Sequence, residues 1–183
     1  MCPSPKDWAL IDRLRRGERR AFEEVFELHA DAVFALLRRL GGSSALADDL
    51  LQDTFLKLAG CAGELRPDTR LGPLLHTIAR NTWLSARRAA RLDLGAALDE
   101  IAGCGASPDS SAGWTELSSR TEEALLHLPP ELREVVAMSL SDLDAADAAR
   151  ALGLSDEAYR KRLSRARAAL RGSLGRAYAE VFS

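Results

Sequence analysis

The sequence predicts an all-α fold, and three observations carry that prediction. Leu and Ala dominate the 46% of residues that are hydrophobic, while β-branched residues are sparse, which favours helices over strands. Apolar residues recur at helical spacing, as at Phe22, Val25, Phe26, Val33, Leu36, Leu37 and Leu40. No stretch shows the strict alternation of a half-buried strand. The 183 residues exceed the ~100–150 typical of one domain. The expected architecture is two small helical bundles, residues 7–92 and 118–183, joined by a flexible acidic linker over 93–117.

The elements follow from local signals. The basic start, Lys6 to Arg20, reads as a helix to which the pattern assigns no role. The amphipathic run 21–40 stops at Gly41-Gly42, and Ser43 or Ser44 is placed to cap the next helix, about 45–59. A breaker-rich stretch from Gly60 through Pro67 to Gly72-Pro73 follows, with Pro73 suited to the first turn of a helix reaching about Arg91. From Asp93 to Trp114 the chain is acidic, rich in Gly, Ser and Ala, and contains Pro108, the composition of a linker. Helical pattern resumes near Glu116 and stops at Pro129-Pro130. Another helix reaches about Ser139, and two more span Ala145–Leu152 and Asp156–Arg171.

Charge is distributed unevenly. The net charge is −2, but residues 1–92 hold 15 basic against 12 acidic residues, 93–117 hold none against 5, and 118–183 hold 10 against 10. An acidic middle thus hides local basic surfaces, and local fields are what a polyanion meets once salt screens beyond roughly 8–10 Å. Catalysis finds little support. There is no nucleophile–base pair, no Gly-rich phosphate loop and no metal-ligand spacing, so no enzyme, cofactor or metal is expected. Cys2, Cys61 and Cys104 are far apart and odd in number, which suits ordinary reduced thiols rather than a disulfide framework. No apolar run approaches the ~20 residues of a membrane span and no signal peptide is evident, so a cytoplasmic protein without membrane insertion is expected.

Three faces carry chemistry. Residues 145–171 have the layout of a helix-turn-helix: Gly153 follows the first helix, where a left-handed residue is usual, and Ser155 is a natural N-cap for the second. On a helical wheel Tyr159, Leu163, Ala166 and Leu170 form a docking face, while Arg160, Lys161, Ser164, Arg165, Arg167 and Arg171 lie around the rest. Such a basic second helix suits the major groove, although a solvated basic surface has the same pattern. Residues 69–92 hold five arginines and no acid. There Leu75, Ile78, Ala79, Thr82, Ala86, Ala89 and Ala90 make the apolar side, opposite Thr77, Arg80, Asn81, Leu84, Arg87, Arg88 and Arg91, a face able to hold phosphates and base edges. In helix 45–59 the expected buried stripe is Leu46, Leu50, Leu51, Thr54 and Leu58. Asp48, Asp49, Gln52 and Asp53 surround an out-of-place Leu56. Three carboxylates would repel DNA, so this face reads either as solvated surface or as a protein-binding patch.

Taken together, these blocks resemble the extracytoplasmic-function (ECF, group IV) sigma factors of the sigma-70 family. LADDLLQDTF (46–55) is similar to the family's acidic "DAEDLVQETF" helix, and HTIARNTWLSARR (76–88) to its "RIARN…RR" helix. LPPELREVV (128–136) and ALGLSDEAYRKRLSRARAAL (151–170) are similar to "LPxxxREVL" and "ALGISxGTVKSRLxRARxxL". The matches span about 20–92 and 118–172, which the resemblance equates with sigma domains 2 and 4. It implies core RNA polymerase, promoter DNA and an anti-sigma factor as partners. Asp48, Asp49, Gln52, Asp53 and Leu56 would meet the coiled-coil clamp of the largest polymerase subunit. Arg80, Asn81, Arg87, Arg88 and Arg91 would engage the −10 element, with the 60–73 loop helping to hold an everted base. Arg160, Lys161, Ser164, Arg165 and Arg167 would read the −35 duplex. The linker would thread toward the active-site channel.

The sequence also departs from the pattern. The family's aromatic pair before IARN is Leu71 and Leu74 here, and Pro73 stands where Ala is common, with Trp83 nearby on the flank of the wheel. The usual Thr-Val of the recognition helix is Ala158-Tyr159, and the preceding helix is rich in acid (Asp142, Asp144, Asp147). Two alternatives stand beside the sigma factor. One is a stand-alone helix-turn-helix regulator, which leaves the Asp48–Leu56 face unexplained. The other is a degenerate sigma-like protein that binds polymerase without melting promoters.

Overall fold

The computed structural model describes the backbone of residues 5–94 and 124–181, with side chains described for 8–90, 92 and 124–172. The first bundle comprises α1 (Pro5–Arg15), α2 (Arg19–Arg39), α3 (Ser44–Cys61), a 3-10 turn (Ala62–Glu64) and α4 (Leu71–Leu94). The second holds a helical turn at 124–126, then α5 (Pro130–Ser139), α6 (Ala145–Ala151) and α7 (Asp156–Val181). All described regular structure is helical.

The helix boundaries have local causes. Ser43, not Ser44, caps α3: its Oγ accepts from the Leu46 amide at 3.2 Å, satisfying a donor the helix cannot. Pro130 opens α5 at its first position, where a missing N–H costs nothing. Asp144 caps α6 by accepting from Asp147 N at 2.8 Å. Gly153 takes φ +67° at the turn of the helix-turn-helix, and Ser155 Oγ accepts from Ala158 N at 3.2 Å to start α7. Two helices run past their expected ends. Helix α4, expected to reach about Arg91, continues to Leu94, and residues 95–123, which include most of the expected linker, lie outside the described residues. Helix α7 was expected to end near Arg171, but its backbone reads through Gly172 and Gly175 to Val181, each glycine costing only about 1 kcal/mol relative to Ala.

Helices α2, α3 and α4 pack on one another, and α1 packs on α2 and the 3-10 turn, burying Leu10, Ile11 and Leu14. That gives the basic start its role. Rings of Phe26 and Phe55, 4.8 Å apart, join α2 to α3, and Lys57 Nζ donates to Thr82 Oγ1 across α3 and α4 at 2.9 Å. In α3 the buried stripe is Ala47, Leu50, Thr54 and Leu58. Leu46, expected in it, is exposed, because the i, i+3, i+4 series that faces the bundle passes through Ala47 instead.

The two bundles are packed together, a relation the sequence leaves open. Val135, Ala137, Met138, Ala148, Ala149 and Leu152 of the second bundle share one apolar core with Leu36, Leu40, Leu71, Leu75, Ala79 and Trp83 of the first. A second, smaller core (Leu125, Leu128, Val136, Ala166) holds α7 against α5.

Arg133 pins the junction. It is 5% exposed and donates from Nε to Leu125 O at 3.1 Å, from Nη2 to Leu126 O and to Leu128 O (3.1 Å), and from Nη1 to Leu40 O at 3.4 Å. A buried cation is tolerated there because helix-end carbonyls carry partial negative charge. Gly41, at φ +112°, makes room for it: a Cβ on residue 41 would stand 2.8 Å from Arg133 Nη1.

Candidate nucleic-acid interface

Helix α7 presents its basic face to solvent. Tyr159 and Ala166 are buried and Leu163 and Leu170 half-buried, so the expected docking face is the one that docks. Arg160, Lys161, Ser164, Arg165 and Arg167 are all exposed. Two of them are steadied within the helix: Arg160 Nε donates to Asp156 O at 3.2 Å, and Lys161 pairs with Glu157 at 2.6 Å. Exposed i, i+4 pairs of this kind are worth only a few tenths of a kcal/mol, so Lys161 can exchange Glu157 for a phosphate at little cost.

Helix α4 behaves differently. Leu75, Ala79 and Thr82 are buried on its apolar side as expected, but so are His76 and Trp83. The opposite side, expected to be one open basic face, is divided. Asn81 and Arg88 face solvent, and Arg88 Nε donates to its own helix at Leu84 O, 3.3 Å away. Arg80, Leu84 and Arg87 are half-buried along the other edge, where Leu84 packs on the core. Arg80 Nε donates to Glu134 Oε2 of α5 at 2.7 Å. The Arg87 guanidinium lies 5.5 Å from the centre of the Trp83 ring, and its charge adds to burial in lowering the Arg133 pKa. The Arg91 side chain lies outside the described residues.

The loop before α4 meets the second bundle too. Arg70 pairs with Asp147, which is 2% exposed, and with Asp144 at 3.5 Å. Arg150 closes on the other oxygen of Asp147 at 2.7 Å, so two guanidiniums compensate one buried carboxylate. His76 is buried on α4, one turn after Gly72. Its Nδ1 lies 2.8 Å from Gly72 O, its Nε2 has no partner, and burial pushes the imidazole below its ordinary value despite the opposing charge of Asp142.

The acidic face of α3 stands clear. Asp48, Asp49, Gln52 and Asp53 are exposed, and Leu56 among them is 69% exposed. Among the described residues no helix is long and apolar enough to cross a membrane. What the sequence misses are the second-bundle acids Glu134, Asp144 and Asp147 as binding partners of α4 and its loop. For Asp144 and Asp147 the available signal is the excess of acid before the recognition helix; Glu134, part of the family-like REV segment, gives none.

Comparison with known proteins agrees with this layout. The Sigma-70 region 2 profile matches residues 25–92 and the Sigma-70 region 4 profile residues 118–170. The chain is 37% identical to RNA polymerase sigma factor CarQ of Myxococcus xanthus over 93% of this chain and 99% of that one. It is 34% identical to ECF RNA polymerase sigma factor SigM of Mycobacterium tuberculosis over 87% and 80%. Among solved structures it is similar to CnrH in complex with the cytosolic domain of CnrY, with TM-score 0.71 and 27% identity over 92% of this chain and 97% of that one. It is also similar to RpoE in complex with the anti-sigma factor NepR from Bartonella quintana, with TM-score 0.70 and 25% identity over 84% and 96%. With an acidic helix, a basic helix and a helix-turn-helix in the family's order, the chain belongs to the ECF RNA polymerase sigma factors, the subunits that direct promoter-specific initiation of transcription.

Proposed function

We propose that three faces of this chain divide the work of initiation. The α3 face (Asp48, Asp49, Gln52, Asp53, Leu56) binds the clamp of the largest polymerase subunit, the carboxylates steering encounter and Leu56 supplying apolar contact. The α4 face binds the −10 element. Asn81 and Arg88 are accessible as the structure stands, Arg80 and Arg87 join them when the bundles separate, and Arg91 is assigned to the same face from the sequence pattern alone. The α7 face (Arg160, Lys161, Ser164, Arg165, Arg167) reads the −35 duplex in the major groove. In this division residues 7–92 serve polymerase and the −10 strand, and 118–183 serve the −35 element. The acidic linker 93–117 passes toward the active-site channel, where its charge mimics nucleic acid.

Strand capture is a matter of binding energy favouring the open strand, and the chain itself performs no chemistry. Leu71 and Trp83 are buried, so strand binding along α4 relies on cations and the Asn81 amide rather than on stacked rings. An anti-sigma factor is proposed as a further partner, by analogy with the complexes of CnrH and RpoE. The site of action is the cytoplasm, where polymerase works.

The observation that carries this reading is that the α3 acids and the α7 arginines are exposed on the same chain. The test is capture by core polymerase of Asp49→Arg with Asp53→Arg. Binding is expected to be abolished with thermal stability unchanged, since both positions are exposed. Undiminished capture would remove the clamp assignment.

A further inference from the structure

Two departures on the recognition helix meet each other. The pattern ALGISxGTVKSRLxRARxxL has Gly and Ser where this chain has Glu157 and Lys161. One turn apart on α7, these two side chains pair at 2.6 Å while remaining 74% and 70% exposed. Tyr159, Leu163, Ala166 and Leu170 turn to the core. At about 100° per residue, Glu157 and Lys161 straddle the line directly opposite those four, with Arg160 and Arg165 to either side. A helix lying in the major groove aims that central line at base edges and its flanks at the phosphate walls. The flanking arginines suit phosphates. A carboxylate on the central line does not: it is repelled by the backbone and is tolerated at close range only where a base offers it a donor.

We propose that Glu157 and Lys161 form a composite base-reading pair that specifies one C·G base pair of the −35 element. In the major groove that base pair presents the cytosine N4 amino group as donor beside the guanine O6 and N7 acceptors. Glu157 accepts from N4 and Lys161 donates to O6 or N7, so the two charges leave each other only for complementary groups. Opening their own contact costs little, because an exposed i, i+4 ion pair is weak. Reversing the base pair sets the carboxylate against O6 and the ammonium against N4, two repulsive contacts in place of two attractive ones. An A·T pair keeps a donor at N6 but gives the ammonium a thymine O4 flanked by the methyl group. Glu157 is thus a specificity-determining residue that works as much by rejection as by attraction.

The base-reading role rests on the −35 assignment of α7, and the measurement keeps the two apart. Holoenzyme assembled from bacterial core polymerase and the full-length chain is mixed with a duplex library randomised over promoter length, and the bound fraction is sequenced. Wild type should favour C·G at one −35 position by about tenfold over the other base pairs. Glu157→Ala should lose that preference, leave the other positions as they were, and bind random duplex severalfold more tightly as a repulsive charge is removed. Lys161→Ala should lose the preference at the same position, and the double substitution should change nothing more there. Both positions are exposed, so circular dichroism melts of the variants should coincide with that of wild type. A selected sequence unchanged by Glu157→Ala overturns the pair, as do single substitutions that act at separate positions. A uniform loss of affinity across all sequences also overturns it, reducing Glu157 to a support for the helix. Failure of the −35 assignment has its own signature and removes the pair with it: wild type then enriches no −35 position, and Arg160→Ala leaves duplex binding intact.

Discussion

Helices α4 and α7 carry similar arginine-rich stripes, yet they meet very different surroundings. Along α7 the basic residues face solvent, and the pairs they make, such as Lys161 with Glu157, lie within the helix. Along α4 one edge is claimed by another bundle: Arg80 is bound to Glu134, and Arg87 is half-buried over Trp83. The same composition therefore gives an open reading surface in one place and a guarded one in the other. What separates them is whether an opposing element brings carboxylates within reach.

This contrast is breakable in order of effect. Arg133→Ala should do most damage, because four backbone carbonyls lose their donor at the junction. A loss of about 3 kcal/mol or more is expected from leaving several buried acceptors unpaired, read by chemical denaturation. A loss below half that would mean water replaces the guanidinium. Next come Arg160→Ala and Arg165→Ala on the open helix. Each should weaken promoter duplex binding by about 1–3 kcal/mol and flatten its salt dependence, while melting temperature stays put. Destabilisation instead would show that these side chains hold the fold, as Arg133 does.

The smallest effect concerns pH on the guarded side. His76 is buried and neutral, with its folded pKa below the ordinary value near 6.5. The unfolded chain therefore binds the proton more readily, so stability is complete above about 6.5 and falls as pH drops through that value toward the lower folded one. The slope is at most about 1.4 kcal/mol per pH unit. Asp142 opposes this shift and Arg39 reinforces it. Thermal unfolding between neutral and mildly acid pH should show the decline, and His76→Gln should reduce it. Equal slopes for the two proteins would place the titration elsewhere.

How much of this was legible in the sequence varies with the range of the interaction. Local signals read well: Ser43 and Ser155 cap helices, Gly153 takes the left-handed turn, and the docking face Tyr159, Leu163, Ala166, Leu170 is buried or half-buried. These depend on neighbours within a turn or two. Leu56 likewise emerged exposed among its acids. Leu46 did not follow the wheel: at the first turn of α3 the buried series runs through Ala47, while Leu50, Thr54 and Leu58 keep their expected places. Hardest to see was the pairing of Arg80 with Glu134 and of Arg70 with Asp147, contacts 54 and 77 residues apart. No periodicity encodes such a meeting; the surplus acid before α7 hinted at the Arg70 pair alone, since Glu134 stands within the family's own pattern.

The most direct test of the whole account is run-off transcription by bacterial core polymerase on a library of promoters, with and without this protein. Promoter-specific transcripts are predicted with the wild-type chain. They should be lost with Asp49→Arg and Asp53→Arg together, and reduced on the same promoters by Arg160→Ala or Arg165→Ala. A stable complex with polymerase that yields no promoter-specific transcript would contradict the account.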